Sequence, residues 1–262
     1  MNAIVDFHAH PYLNEEQNLC MYEGVTPPDA ISMRDQLTEN GIGMICGCVL
    51  RRDRAFSFGE LNDSALRLRE LLGDFYVPGF HIHPAHVARS VAEIERMREQ
   101  GVHLIGELVP YMHGWGDFGH TPYVRELNEI LCAADPYPMT VSFHTTWEWP
   151  IDEVIAAHPG LTFVAAHPGE RESVEKHIAR MRAHENVYLD LSGTGIFRFG
   201  SIRRLVNAVG AERILFGTDY PICNPEMYIH AVLGERLSSG EQEKIFGQNA
   251  KRILKITAAQ GL

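Results

Sequence analysis

Residues Met139–Gly169, MTVSFHTTWEWPIDEVIAAHPGLTFVAAHPG, hold the unit from which the rest of the chain is built. The run Met139–His144 is apolar, rich in β-branched and aromatic residues, and short enough to be a strand; Thr162–His167 is another. Between them Asp152–Ala157 carries a helical pattern. Strand, helix and strand make a βαβ unit, whose helical crossover brings the chain back so that the two strands run parallel. Each of these strands closes on a histidine, His144 and His167.

The same alternation extends in both directions. Further apolar runs lie at Ile4–Phe7, Ile42–Val49, Phe75–His81, His103–Leu108, Val187–Leu191 and Ile214–Gly217. Amphipathic segments separate them at Asp29–Asn40, Glu60–Leu72, Val87–Gln100, Val124–Ala134, Ser173–Ala183 and Ser201–Val209, and Glu241–Ile256 follows the last run. Gly41, Gly73 and Gly101 stand where the first three helices should stop, as helix-ending residues do. Parallel strands joined by right-handed crossovers in this number close into a distorted (β/α)8 TIM barrel, an α/β fold. A barrel needs about 250 residues, so residues 1–262 are expected to form a single domain. An open doubly wound sheet is the alternative reading.

Composition narrows the partners. The formal net charge is −11, with no basic block to hold a phosphate backbone, so nucleic acid is not expected. The N-terminal MNAIVDFHAH has no basic region followed by a long apolar stretch, and no apolar run approaches a membrane span. Cys20, Cys46, Cys48, Cys132 and Cys223 are odd in number and scattered, which fits reduced thiols in a cytoplasmic protein. Cys46 and Cys48 share one face of an apolar run and read as small core residues. Oligomeric state is open, and a homo-oligomer is compatible with everything above.

The polar residues collect at one end of the runs. His8 and His10 follow the first, Glu107 lies near the end of the fourth, His144 and His167 close the fifth and sixth, and Asp219 follows the eighth. In a barrel those ends form one mouth, where active sites sit. His8 and His10 are two apart, so on extended chain both imidazoles point the same way. With His144 as a further nitrogen donor and Asp219 as an oxygen donor, the set suits a divalent metal: zinc first, but also manganese, iron or nickel. Glu107 could instead orient a histidine or pair with Arg125 or Arg171. His81 and His83 repeat the HxH spacing but lack an acidic companion, which favours a substrate-contacting or structural role. His103 begins its run and belongs at the opposite end. Tyr111, His113, Trp115 and His120 fall in the Gly-rich stretch Pro110–Pro122, expected to cap the pocket and read substrate.

Taken together, DFHAHP, GELVP, FHTT, AAHPG, YLDLSG and FGTDYP resemble the amidohydrolase superfamily, in its amidohydrolase-related family 2 branch of barrel metalloenzymes. The resemblance runs from His8 to about Asn249. It implies one or two divalent ions, with His8, His10 and His144 as ligands. Asp219 would bind metal and take a proton from the attacking water, and His167 would bind a second ion or polarise the substrate. The carboxylated lysine of many two-metal relatives is absent; Glu107 stands near its place, as in deoxyribonuclease-like relatives with a bridging glutamate. The activity implied is metal-dependent hydrolysis of a small carbonyl compound, an amide, lactone or ester, by metal-activated water. Decarboxylation of an aromatic or unsaturated acid is the second reading, with Arg51, Arg52, Arg171 and Arg198 as candidates to recognise its carboxylate. A non-catalytic metal-binding protein, with a closed coordination shell, is the third.

Overall fold

A computed structural model describes residues 3–51, 57–115, 123–144 and 151–256 of the chain. Its parallel strands are β1 (Ile4–Asp6), β2 (Ile42–Cys48), β3 (Tyr76–Phe80), β4 (Leu104–Leu108), β5 (Thr140–His144), β6 (Thr162–Ala166), β7 (Val187–Asp190) and β8 (Ile214–Leu215). They form one eight-stranded sheet in sequence order from β1 to β8. A doubly wound sheet would reverse its order at a switch point, so the expected barrel is the architecture present.

The sheet curls until its first and last strands meet, and the meeting is made by residues just beyond the strand ends. Phe7 N–H donates to Phe216 O at 2.8 Å, His10 N–H to Tyr220 O at 2.7 Å, and Asp219 N–H to His8 O at 2.8 Å. Ala9 and Tyr220 form a parallel bridge. Buried Asp6 reinforces the seam: Oδ1 accepts from His8 N–H at 3.1 Å and from Thr218 N–H at 3.0 Å, and Oδ2 accepts from the Thr218 hydroxyl at 2.5 Å. Burial pushes the Asp6 carboxyl up to about 7 despite these bonds.

The helices are α1 (Ala30–Glu39), α2 (Phe58–Leu72), α3 (Val87–Glu99), α4 (Pro110–His113), α5 (Val124–Cys132), α6 (Ile151–Ala157), α7 (Arg171–Ala183), α8 (Ser201–Val209), α9 (Pro225–Gly234), α10 (Ser239–Glu243) and α11 (Asn249–Ile253). Their starts follow local chemistry. Asp29 accepts from Ser32 N–H at the head of α1, and Ser57 with Glu60 forms a capping box on α2. Each such cap contributes about 1 kcal/mol by satisfying an N–H that the helix cannot.

Three elements differ from the sequence expectation, the first being the short α4 at the start of the stretch Pro110–Pro122, which reads as a loop. Helix α9 was not foreseen; Pro225 opens it and Asn224 caps it by accepting from Glu226 N–H at 3.0 Å. The expected single helix Glu241–Ile256 starts earlier, at Ser239, and is α10 and α11 joined by a π turn over Lys244–Gln248. The last helix closes the barrel floor. Val5, Phe7, Met44, Cys46, Leu104, Val164 and Leu215 gather with Ala250, Ile253 and Leu254 in one buried cluster. A larger apolar layer packs the outside of the sheet against the helices. Among the described residues, no helix is long and apolar enough to cross a membrane.

Candidate metal centre

His8 and His10 lie beyond the end of β1 rather than on it, because the chain bends at Phe7–His8. The two rings converge all the same, with Nε2 atoms 3.3 Å apart. Glu107 Oε2 is 3.3 Å from His8 Nε2 and 3.6 Å from His10 Nε2. Asp219 Oδ1 is 3.7 Å and 3.3 Å from the same two nitrogens. The other oxygen of Glu107 faces a second group. Oε1 lies 2.8 Å from His144 Nδ1 and 3.4 Å from His167 Nε2, and those nitrogens are 3.0 Å apart. All six residues singled out from the sequence thus meet in one cluster, with Glu107 at its centre. His144 sits with His167 across Glu107, away from the His8–His10 pair.

The protons in this cluster are already spoken for. His10 Nδ1 donates to Cys48 O at 3.1 Å, and His8 Nδ1 donates to Asp190 Oδ2 at 2.9 Å. Each imidazole in its neutral form then turns a bare Nε2 lone pair inward. Two such lone pairs and two carboxylate oxygens meet with no donor among them, an arrangement that calls for a cation. Spacing says which kind. A four-coordinate ion with bonds of about 2.0–2.1 Å holds its donors about 3.3–3.4 Å apart, close to the separations just given. The donors present fit a divalent ion.

Electrostatics agree. Burial opposes charge on His8, yet the Asp190 and Glu107 carboxylates hold its pKa well above the usual imidazole value, so the spot in front of Nε2 attracts positive charge, either a proton or a metal ion that displaces it. Burial alone would raise Glu107, but the neighbouring His8 and His144 and the hydrogen bonds from His144 and His167 keep it well below the carboxylate range. Asp190, equally buried, is also lowered, with His8 as the opposing cause. Carboxylates this deep remain anionic only beside positive charge, and a divalent ion supplies more of it than one imidazolium.

A family model described as amidohydrolase matches residues 5–256. The chain belongs to the amidohydrolase family. No curated protein matches it at the level of sequence. Solved structures share this amidohydrolase's fold. An uncharacterized TIM-barrel protein from Bordetella bronchiseptica has a TM-score of 0.74 at 20% identity, covering 98% of this chain and 99% of that one. The 2,6-dihydroxybenzoate decarboxylase from Rhizobium scores 0.70 at 14% identity, again over 98% and 99%. A probable 2-pyrone-4,6-dicarboxylic acid hydrolase from Acinetobacter baumannii, with citric acid bound, scores 0.64 at 12% identity over 97% and 100%.

Reading the amidohydrolase sequence alone misses the struts behind the cluster. The Ser192 hydroxyl donates to Asp190 Oδ1 and lies 3.1 Å from His8 Nδ1 and 3.0 Å from His167 Nδ1. Its proton is used on Asp190, so it accepts from His167 Nδ1 and leaves His167 Nε2 facing Glu107. Gly193 follows because nothing larger fits: a Cβ there would come 2.2 Å from His167 Nδ1, and its φ is +62°. His177, on α7, donates through Nε2 to His167 O at 3.2 Å. His167 and Asp219 themselves adopt left-handed φ of 65° and 66°, a conformation costing about 1–3 kcal/mol for a non-glycine residue and concentrated at functional sites. The signal for Asp190 and Ser192 was present in YLDLSG, as polar residues closing the seventh strand.

Other expectations resolve as follows. Glu107 turns to histidines, while Arg125 pairs with Glu126 at 2.8 Å on the surface. Arg198 pairs with Glu170 at 3.1 Å; Arg52 and His120 lie outside the described residues. His83 is structural, donating through Nε2 to His113 O at 2.8 Å and accepting Ala85 N–H on Nδ1 at 3.1 Å. Trp115 is buried in the core and does not read the pocket, whereas the Tyr111 ring stands 5.4 Å from that of His144. His103 precedes β4, at the end opposite Glu107. All five cysteines are free, with Cys46 and Cys48 buried. The Cys48 sulfur lies 3.9 Å from His10 Nδ1, the outward nitrogen, and so does not join the inward donors.

Proposed function

We propose that this amidohydrolase is a metal-dependent hydrolase in which His8, His10 and Asp219 would hold one divalent ion and His144 and His167 a second, with Glu107 facing both groups. One observation carries the reading: the two oxygens of a single buried carboxylate face two separate donor groups, His8–His10–Asp219 and His144–His167. Nitrogen and oxygen donors without thiolate suit zinc, and manganese as well. Ions bound there supply Lewis acidity, lowering the pKa of a nearby water and polarising a substrate carbonyl. The chain does the rest. Asp219, buried at the mouth with Oδ1 toward both histidines of the first group, takes the proton of the attacking water and returns it to the leaving group. His167 acts as a ligand rather than as a free acid, since its Nδ1 proton is committed to Ser192. Glu107 fixes the spacing of the two groups, and Asp190 with Ser192 fixes the tautomers of His8 and His167.

The substrate class is a small amide, lactone or ester. Decarboxylation stays the second reading, on the likeness to the Rhizobium decarboxylase. A cation to hold the substrate acid is what that reaction needs; Arg198 is engaged by Glu170, and Arg51, which lines a cavity with Phe58, His83 and His113, is the candidate that reading turns to. The test is a panel of amides, lactones, esters and carboxylic acids given to metal-loaded protein, with acid release and carbon dioxide both followed. Hydrolysis without carbon dioxide is expected. Carbon dioxide from an acid, with no ester, lactone or amide consumed, would replace the proposal with the second reading.

A further inference from the structure

His81 stands one residue past β3, on the mouth side of the barrel, and nothing in the hydrolytic chemistry uses it. It is held unusually firmly. Asn62, from α2, accepts the His81 N–H at 2.7 Å and donates to the His81 carbonyl at 3.0 Å. Asn62 in turn donates to Glu93 Oε2 at 2.9 Å, so α2 and α3 both brace this one peptide. The ring is braced too, since Nε2 donates to Val49 O at 2.8 Å. A carbonyl can only accept, so the ring proton is on Nε2 and Nδ1 is left with a lone pair.

Among the described residues, that lone pair has no partner. His81 is 1% exposed, and Nδ1 is buried without a hydrogen bond. Buried polar atoms are paired in the great majority of cases, so an unpaired one in a rigid setting asks for an explanation. Direction supplies part of it. Val77 packs against the cluster inside the barrel, and Gly79 and His81 follow at the two-residue spacing of one strand face. The Val49 carbonyl that holds the ring directly follows the Cys48 carbonyl that holds His10 Nδ1, so the ring neighbours the metal centre. Burial holds its pKa down to about 4, so it is neutral at ordinary pH. The ring of His113 packs over it at 4.7 Å.

We propose that His81 Nδ1 accepts a hydrogen bond from the substrate, so that the substrate carries a hydroxyl or N–H donor next to its reacting carbonyl. The inference rests on the hydrolase reading only in taking this mouth as the substrate site. A fixed acceptor of this kind discriminates strongly, because a substrate lacking the donor leaves Nδ1 desolvated and unpaired.

The test uses matched probes with zinc-loaded protein: salicylate against benzoate, salicylamide against benzamide, and 2-hydroxy-γ-butyrolactone against γ-butyrolactone. Binding is followed by 15N NMR of histidine-labelled protein, and kcat/KM is measured wherever turnover occurs. In at least one pair the hydroxyl-bearing member should bind at least about tenfold tighter and move the His81 Nδ1 resonance, which its partner leaves in place. In His81→Gln, whose amide nitrogen can keep the Val49 bond, the preference should fall to within about threefold at unchanged metal content. Equal binding within every pair, a preference that survives in His81→Gln, or no binding of any probe would overturn the inference. Turnover without a hydroxyl preference sinks it and spares the hydrolase reading; a hydroxyl preference without hydrolysis of any amide or lactone does the reverse.

Discussion

The chain contains the same three-residue pattern twice, His8-Ala9-His10 after β1 and His81-Ile82-His83 after β3, and the two come to opposite ends. In the first, both Nδ1 atoms are tied to neighbouring acceptors and both Nε2 atoms are left to converge, 3.3 Å apart. In the second, both Nε2 atoms are tied, to Val49 O and to His113 O, so that neither is free to face a metal. The spacing is identical. What differs is what reaches each pair: Asp190, Asp219 and Glu107 converge on the first from across the mouth, whereas backbone carbonyls and the Asn62 side chain of α2 hold the second. HxH becomes a ligand pair when the acceptors behind it select the tautomer and carboxylates in front of it complete the shell.

Breaking the first pattern should have the largest effect. Asp219→Asn removes the proton acceptor and one oxygen donor, and should lower kcat by about 1000-fold; His83→Gln, in the second pattern, should leave kcat within about twofold, because its contacts are structural. Steady-state kinetics on whichever panel compound is hydrolysed decides this.

The second pattern should instead show itself in stability against pH. The folded pKa of His81 is about 4 against an ordinary value of 6.5. The folded state therefore favours the neutral ring. This contribution is fully present above pH 6.5 and is lost as pH falls through 4, amounting to roughly 3 kcal/mol. Urea unfolding of His81→Gln should be flatter across that window than wild type; parallel slopes would show that the ring does not titrate as its burial requires.

The supporting residues give a smaller contrast. Asp190→Asn should weaken metal binding by about 10–100-fold, as outer-shell carboxylates do. Asn62→Ala should leave metal binding unchanged and cost about 2 kcal/mol of stability through the bonds lost around His81. Metal titration and urea unfolding on both variants would separate them, and the same response from both would remove the distinction between the two patterns.

Much of this was legible before any coordinates. The strands announce themselves because a parallel barrel buries both strand faces, so that Ile42–Cys48 or Thr162–Ala166 reads as a nearly continuous apolar run. The six mouth residues were legible as polar punctuation at the ends of those runs. Their grouping was not, because His144 meets His167 rather than His8 through the curl of the sheet, which no spacing encodes. Asp190 and Ser192 escaped for a related reason. They sit in an otherwise apolar run, and only a partner 182 residues away gives Asp190 its role. Helix α9 was hidden because Met227, Tyr228, Ile229, Ala231, Val232 and Leu233 surround its axis without a clear polar face. Trp115 was misplaced for the opposite reason: a glycine-rich neighbourhood suggested a loop, yet its indole completes the core.

The bridging role of Glu107 is the claim on which the rest depends, and metal stoichiometry tests it most directly. Protein loaded with zinc and dialysed should retain two ions per chain, and Glu107→Gln should lose affinity for both together, since both groups give up the shared negative charge and one of them its oxygen as well. One ion per chain in the wild type, held equally well after Glu107→Gln, would contradict the account.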